Sequence, residues 1–198
     1  NYEATRRPRK IAVVGAGPAG LSASTVAASR GHHVTLFEAS DDIGGQFNMA
    51  RKVPGKEEFD ETIRYYRKQI ELSGVALKLN TRADVDSLKG FDEVIVATGV
   101  TPRKIGLPGI DHPKVLSYVD VLLDGVEVGD KVAVIGAGGI GFDVAEFLAH
   151  HGTSPSLDVN QYMTEWGVDL KNEARGGLIE AVIPKPARQI TLLQRSQG

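Results

Sequence analysis

The sequence predicts an α/β protein with two similar units, each a parallel β-sheet with flanking helices. Two observations support this prediction. KIAVVGAGPAG at residues 10–20 returns as KVAVIGAGGIG at residues 131–141. Each copy joins an apolar run rich in β-branched residues to a Gly-x-Gly-x-x-Gly turn and then to small residues, which is the pattern of a strand, a tight turn and a helix.

The elements of the first unit follow from local patterns. After the first glycine-rich turn, a helix of small residues is expected to run to about Arg30, because Gly31 is a good stop signal. A second helix is expected over residues 57–72, where apolar and aromatic residues recur at helical spacing. The strands of this unit are expected at residues 10–14, 32–39, 75–80 and 91–99.

A connector rich in proline and glycine divides the chain into predicted domains 1–110 and 111–198. The second unit begins with a strand at Lys131, and QITLLQR at residues 189–195 is its second strand. Glu38 lies 18 residues after Gly20 in the first unit, whereas Arg195 lies 54 residues after Gly141. The excess of 36 matches residues 153–188, which we interpret as a functional or interface-forming insertion.

Composition excludes several classes of function. The formal net charge is −2, which gives no electrostatic reason to expect nucleic acid or an anionic membrane as a partner. The 198 residues contain no cysteine, so they supply no disulfide, redox CxxC pair or iron–sulfur ligand. The uncharged stretch after the basic start contains too many Gly, Pro, Ser and Thr for a membrane span. A cytoplasmic setting is expected, and the initial Asn1 suggests a piece of a longer protein.

The first glycine pattern predicts a pyrophosphate site. Gly15 permits the sharp turn, Gly17 lets the backbone approach the pyrophosphate, and Gly20 lets helix and strand pack closely. Pro18 suits the first helical turn, where its missing N–H costs nothing. Glu38, at the end of the neighbouring strand, can accept both ribose hydroxyls and would repel a 2′-phosphate. This site is therefore expected to take FAD or NAD(H) rather than NADP(H).

The tripeptide Ala97-Thr98-Gly99 indicates which dinucleotide binds there. In flavoenzymes with two dinucleotide sites, an apolar strand ending in Ala-Thr-Gly passes close to the flavin nucleotide. Its position here, between two glycine patterns and before the connector, favours FAD in the first site.

A glycine pair in the long loop fits the same interpretation. Gly44 and Gly45 would let this loop lie against the flavin's phosphate and ribityl region, and Gln46 and Lys56 are candidate polar contacts. For Lys56, as for Arg51, a solvated surface side chain is an equal alternative.

The second glycine pattern, formed by Gly136, Gly138, Gly139 and Gly141, lacks an acidic partner. Arg195 stands at the end of its second strand, where a guanidinium can pair bidentately with a 2′-phosphate. NADP(H) is therefore favoured, and a solvent-facing strand end is the alternative for this arginine.

No catalytic nucleophile–base pair and no metal site are predicted. His32-His33 and His150-His151 are adjacent pairs whose side chains do not converge. Trp166, in the insertion, is interpreted as a packing anchor. Hydride transfer needs no such pair, because the cofactors perform the chemistry and the protein sets their geometry.

Taken together, these motifs resemble the FAD/NADPH portion of bacterial 2,4-dienoyl-CoA reductases, a family that joins this module to an old-yellow-enzyme-like barrel, as trimethylamine dehydrogenase does. The resemblance rests on GHHVTLFEASDDIGGQFNMA, PGKEEF, GIDHPKVLSYVDVL and the WGVD and GGL pieces of the insertion, besides the glycine patterns. It implies that FAD contacts Ala19, Glu38, Gln46, Lys56 and the backbone near Ala83.

The resemblance also implies a reaction. NADPH would reduce FAD, and electrons would pass through a 4Fe–4S cluster to FMN in an upstream barrel domain. The residues of that cluster and barrel are absent from this chain, so the fragment alone is expected to be inactive. Two alternatives stay open: the same module of an amine dehydrogenase, and a non-catalytic nucleotide-binding assembly domain.

Overall fold

A computed structural model describes residues 2–103 and 105–195, and the chain forms two compact units. The first comprises Asn1–Ala50 and Glu58–Ile110, and the second comprises Arg51–Glu57 and Asp111–Gly198. The predicted assignment of all residues before 111 to one domain is therefore wrong for 51–57. This segment groups with the second unit because its side chains are bonded there.

The first unit contains a four-stranded sheet in which every neighbouring pair is parallel. Its strands are β1 (Lys10–Val14), β2 (His33–Phe37), β3 (Ala76–Lys78) and β4 (Glu93–Val96), in the order β3-β2-β1-β4. The two inner strands β1 and β2 are the most buried, with three buried residues each, as the continuous apolar run of β1 predicts. The edge strand β4 is shorter than expected, and Val96 is 73% exposed.

The helices of the first unit are α1 (Pro18–Ser29), α2 (Phe47–Ala50) and α3 (Glu58–Ser73). Helix α1 packs against α3 and the sheet. Ile63 and Ile70 form the buried face of α3, and with Leu21, Leu36 and Val13 they belong to one continuous core. Each fully buried side chain of this kind contributes about 1.5–3 kcal/mol. This core fixes the sheet edge where the strands end.

The second unit has a two-stranded parallel sheet of β5 (Lys131–Ile135) and β6 (Gln189–Leu193). Its helices are α4 (Tyr118–Leu122), α5 (Gly139–Ala149) and α6 (Val159–Glu165). Both strands alternate between exposed and half-buried positions, and Ile135 is 61% exposed. The same strand–turn–helix motif is therefore less enclosed here than in the first unit.

The insertion is structured, although its sequence shows no periodicity. Besides α6 it contains two short 3-10 turns and a single antiparallel bridge between Val168 and Leu178. Asp158 caps α6, and the Asp169 carboxylate accepts backbone N–H groups, with that of Ala174 among them. These hydrogen bonds lower the pKa of Asp169, because they stabilise its charged form. Local hydrogen bonds between side chains and backbone thus order this segment, which lacks hydrophobic periodicity.

Among the described helices, none is both long enough and apolar enough to cross a membrane.

The tightest strand–helix contact generates a stability prediction. A Cβ on Gly20 would lie 1.8 Å from the carbonyl oxygen of Gly15. We expect Gly20→Ala to lower the free energy of unfolding by about 2–3 kcal/mol, because the backbone must shift to relieve this overlap. Urea unfolding followed by circular dichroism measures it. Gly106→Ala is the control, since no atom lies within 4 Å of its Cβ position. Equal stability of the two variants would contradict the packing described.

Candidate functional site

Two helices begin without a capping side chain, and both follow a glycine pattern. Gly17 is the N-cap of α1 and Gly138 is the N-cap of α5, each in an extended conformation. By contrast, Ser117 caps α4 within a complete capping box, and Asp158 caps α6. The N–H groups of the first turn are therefore not satisfied by a capping side chain at α1 and α5. Such helix starts favour anions.

The glycines of the two patterns serve different purposes. Gly15 and Gly136 have φ values of +103° and +113°, which strongly favour glycine. A Cβ on Gly141 would lie 1.8 Å from the Gly136 oxygen, the same overlap as in the first unit. No atom lies within 4 Å of a Cβ on Gly138 or Gly139. Positive φ or close packing explains Gly15, Gly136 and Gly141, but the packing within the protein does not explain Gly138 and Gly139.

Glu38 faces the first glycine-rich loop. Its Oε2 accepts a hydrogen bond from the Ala16 backbone N–H at 2.7 Å, and its Oε1 accepts one from Ser40 at 2.8 Å. The side chain is half-buried. The carboxylate thus lies beside the first glycine-rich turn, and its contact with a ribose stays a prediction.

The second loop of the first unit closes against this glycine-rich turn. The Gly44 N–H donates to the Ala16 carbonyl at 2.9 Å, and a Cβ on Gly45 would lie 2.9 Å from the Gly17 Cα. The Asn48 amide donates to the Ile43 carbonyl at 3.0 Å. Its Oδ1 is buried without a hydrogen-bond partner among the described residues. Asn48 is a residue that the sequence analysis missed, and only its position just after the glycine pair could have indicated it.

The end of β4 completes the first site. The Ala97 N–H donates to the Val14 carbonyl at 2.8 Å, and the Ala97 oxygen would lie 2.4 Å from a Cβ on Gly15. The Cα of the next residue, Thr98, would lie 3.1 Å from the same Cβ on Gly15. The predicted small-residue strand end therefore does lie against the glycine-rich turn.

Five other predicted residues lie around this edge. Pro18 and Ala19 are in the first turn of α1, and Gln46 is exposed just before α2. The Thr81 N–H donates to the Glu38 carbonyl at 2.8 Å, so Ala83 follows the segment that pairs with the end of β2. Gly99 adopts a φ of +72° after β4. Contacts of these residues with FAD stay a prediction.

The register of the second unit corrects one part of the sequence analysis. The Gly15 N–H donates to the Phe37 carbonyl at 2.8 Å, and the Gly136 N–H donates to the Leu193 carbonyl at 2.9 Å. The counterpart of Glu38 is therefore Gln194, and the pairing of Glu38 with Arg195 was displaced by one residue. An uncharged amide thus occupies the acidic position, and the exposed Arg195 follows it directly.

Lys56 belongs to the second unit. Its Nζ donates to both carboxylate oxygens of Asp143, at 2.6 and 2.7 Å. The adjacent Glu57 accepts a hydrogen bond from the Ser156 hydroxyl at 2.7 Å. Burial raises the pKa of Glu57, but hydrogen bonds from Ser154, Ser156 and Gly55 outweigh it, so the pKa is lowered. The FAD contact predicted for Lys56 stays a prediction.

The remaining candidates take simple structural roles. The described residues contain no cluster of three or more groups that could hold a metal ion. The rings of His150 and His151 stack with centroids 6.4 Å apart. Trp166 is 67% exposed and contacts Tyr162, with ring centroids 5.9 Å apart. Its interpretation as a packing anchor is therefore wrong for the unit described.

Residues 9–195 match the family model described as pyridine nucleotide-disulphide oxidoreductase. The chain belongs to this family. Two open, glycine-capped helix starts behind parallel strands are the arrangement expected of a protein that binds flavin and pyridine dinucleotides. The α/β fold with parallel sheets and flanking helices is thereby confirmed.

Several relatives are named oxidoreductases. A metal reductase from Desulforamulus reducens is 31% identical over 98% of this chain, which spans 29% of that protein. A cinnamate reductase from Clostridium sporogenes is 39% identical over 75% of the chain, which spans 22% of that protein.

Solved structures extend the comparison. A 2-naphthoyl-CoA reductase complex superposes with a TM-score of 0.73 at 31% identity, over 98% of this chain and 34% of that one. Histamine dehydrogenase from Rhizobium sp. 4-9 superposes with a TM-score of 0.64 at 29% identity, over 74% of this chain and 24% of that one. The chain thus spans about a third or less of these proteins.

Proposed function

We propose that this chain is the electron-input module of a flavoprotein oxidoreductase, with FAD in the first unit and NADPH in the second. The observation that supports this most is the pair of glycine-capped helix starts, α1 and α5, with contrasting neighbours. The Glu38 carboxylate lies beside the first, whereas Gln194 occupies the equivalent position beside the second. A carboxylate suits unmodified ribose, and its absence permits a 2′-phosphate.

The residues of the first unit fit FAD by shape. A Cβ on Gly45 would lie 2.9 Å from the Gly17 Cα, so glycine at position 45 keeps side-chain atoms away from the start of α1. The first-turn N–H groups of α1 would bind the diphosphate, and Glu38 would accept the ribose hydroxyls. When bound, the flavin supplies the two-electron redox chemistry, which the protein's side chains lack.

The residues of the second unit fit NADPH by charge. Gly138 and Gly139 leave open space at the start of α5, where the diphosphate would lie. Arg195 follows β6 at the same edge and would pair with the 2′-phosphate. When bound there, NADPH would supply the hydride that reduces the flavin.

The longer parent is most like a 2,4-dienoyl-CoA reductase, with FMN and a 4Fe–4S cluster in an upstream barrel domain that this module serves. The similarity to 2-naphthoyl-CoA reductase over 98% of the chain supports an acyl-CoA substrate. The alternative is an amine dehydrogenase, which is supported by 38% identity over 75% of the chain to N,N-dimethylglycine/sarcosine dehydrogenase from Chromohalobacter salexigens.

The proposal predicts a coloured protein. We expect the full-length protein to purify with a flavin absorbance band that NADPH bleaches under anaerobic conditions, because electrons enter through this module. Anaerobic stopped-flow spectroscopy measures the bleaching. A colourless protein that takes up no FAD on reconstitution would refute the assignment of the first unit.

The proposed preference of the second unit for NADPH over NADH predicts that one substitution weakens NADPH binding selectively. We expect Arg195→Ala to weaken NADPH binding roughly ten- to hundredfold, because one charge-assisted pair contributes about 1.5–3 kcal/mol. NADH binding should change less than about twofold, since NADH has no 2′-phosphate. Titration of the intact protein with both nucleotides measures the difference. Arg175→Ala, at an exposed arginine of the insertion, is the control. Equal losses for NADPH and NADH would remove Arg195 from this role.

A further inference from the structure

The Lys56 ammonium pairs with Asp143, which lies on α5, the helix that follows the second glycine pattern. Their side chains are 38% and 33% exposed, so the pair is partly shielded from water. The ammonium contacts both carboxylate oxygens, which makes this a close and specific pairing. A pair of this kind weakens the field of each partner on its surroundings.

The position of Asp143 makes its charge relevant to ligand binding. It lies four residues after Gly139, the first residue of α5, and therefore about 6 Å from the helix start along the axis. An uncompensated carboxylate at this distance would oppose an incoming diphosphate. That repulsion would act directly against the attraction of the open first-turn N–H groups.

The segment that carries Lys56 is anchored on both sides of it. Lys52 Nζ donates to the Leu123 carbonyl at 3.2 Å, and Glu57 accepts from the Ser156 hydroxyl at 2.7 Å. These bonds hold Lys56 at Asp143 without demanding a contact with any ligand. The lysine is therefore placed to act through its partner.

We propose that Lys56 is a positioning residue for the second dinucleotide site. Lys56 neutralises the charge of Asp143, so that the start of α5 can bind a diphosphate. The inference rests on the proposed function, because it assumes that NADP(H) binds there. It assigns Lys56 to the nicotinamide nucleotide, whereas the sequence resemblance assigned this lysine to FAD. The two assignments differ in which ligand is lost when the lysine is replaced.

The charge balance gives a four-variant test. The net charge of the side chains at positions 56 and 143 is zero in the wild-type protein, −1 in Lys56→Met and +1 in Asp143→Asn. It is zero again in the double variant. NADP⁺ is the probe, since it binds without reducing the flavin. Its affinity for the full-length, flavin-loaded protein is measured by calorimetry at low and high salt.

We expect Lys56→Met to weaken NADP⁺ binding about three- to tenfold at low salt, and Asp143→Asn to strengthen it by a similar factor. The double variant should return to within about twofold of wild type, and added salt should shrink both single effects. Flavin content should stay unchanged in all variants. Lys171→Met is the matched control, because it removes one positive charge from an exposed position of the same unit without altering the segment that holds Lys56.

Other outcomes overturn the inference in recognisable ways. A double variant as weak as Lys56→Met would show that the lysine contacts the ligand itself. Loss of flavin with unchanged NADP⁺ affinity would assign Lys56 to FAD instead. If Lys56→Met does not fold, unchanged affinity in Asp143→Asn is sufficient to reject the idea. Failure of the wild-type protein to bind NADP⁺ at all would instead reject the proposed function.

Discussion

The contact between the first and last glycine of each pattern is the constraint on which both sites depend. In both units the last glycine sits so close to the carbonyl of the first that a single Cβ would overlap it, with 1.8 Å between the two atoms. This contact sets the start of the helix directly behind the end of the strand. It leaves the helix N-terminus at the carboxyl edge of the sheet, where ligands of open α/β sheets bind. No side chain caps either start, so the positive end of each helix dipole stays available.

The two units then diverge through what surrounds this shared contact. In the first, a closed core buries β1, a second loop lies against the turn, and Glu38 bonds the loop backbone. In the second, the two-stranded sheet is half-exposed, Gln194 replaces the carboxylate, and a lysine compensates the acidic side chain on α5. One backbone geometry thus carries two different charge environments, which is the physical basis for assigning it two different nucleotides.

Sequence patterns predicted the parts of the fold that depend on local chemistry. The glycine spacing located both strand–turn–helix motifs, because a positive φ strongly favours glycine at Gly15 and Gly136 and backbone overlap requires it at Gly20 and Gly141. Helix α4 was missed although Ser117 and Asp120 form a recognisable capping-box signal. Local sequence patterns did not predict contacts between residues that lie far apart in the chain. The grouping of residues 51–57 depends on Asp143, far along the chain, and the register at Gln194 depends on one backbone hydrogen bond. The burial of the Asn48 oxygen has no sequence signature beyond its position after the glycine pair.

The central claim is that each glycine-capped helix start binds its own diphosphate, and two matched substitutions test it most directly. Gly17→Val and Gly138→Val place side chains at the two openings. The nearest atom to the added Cβ is the Gly45 Cα at 4.0 Å in the first variant, and none lies within 4 Å in the second. Calorimetric titration of the full-length apoprotein with FAD and with NADP⁺ should show one independent site for each ligand. Gly17→Val should abolish only the FAD site, and Gly138→Val only the NADP⁺ site, with unfolding transitions close to wild type. Competition of the two ligands for one site, or loss of both in either folded variant, would contradict the account.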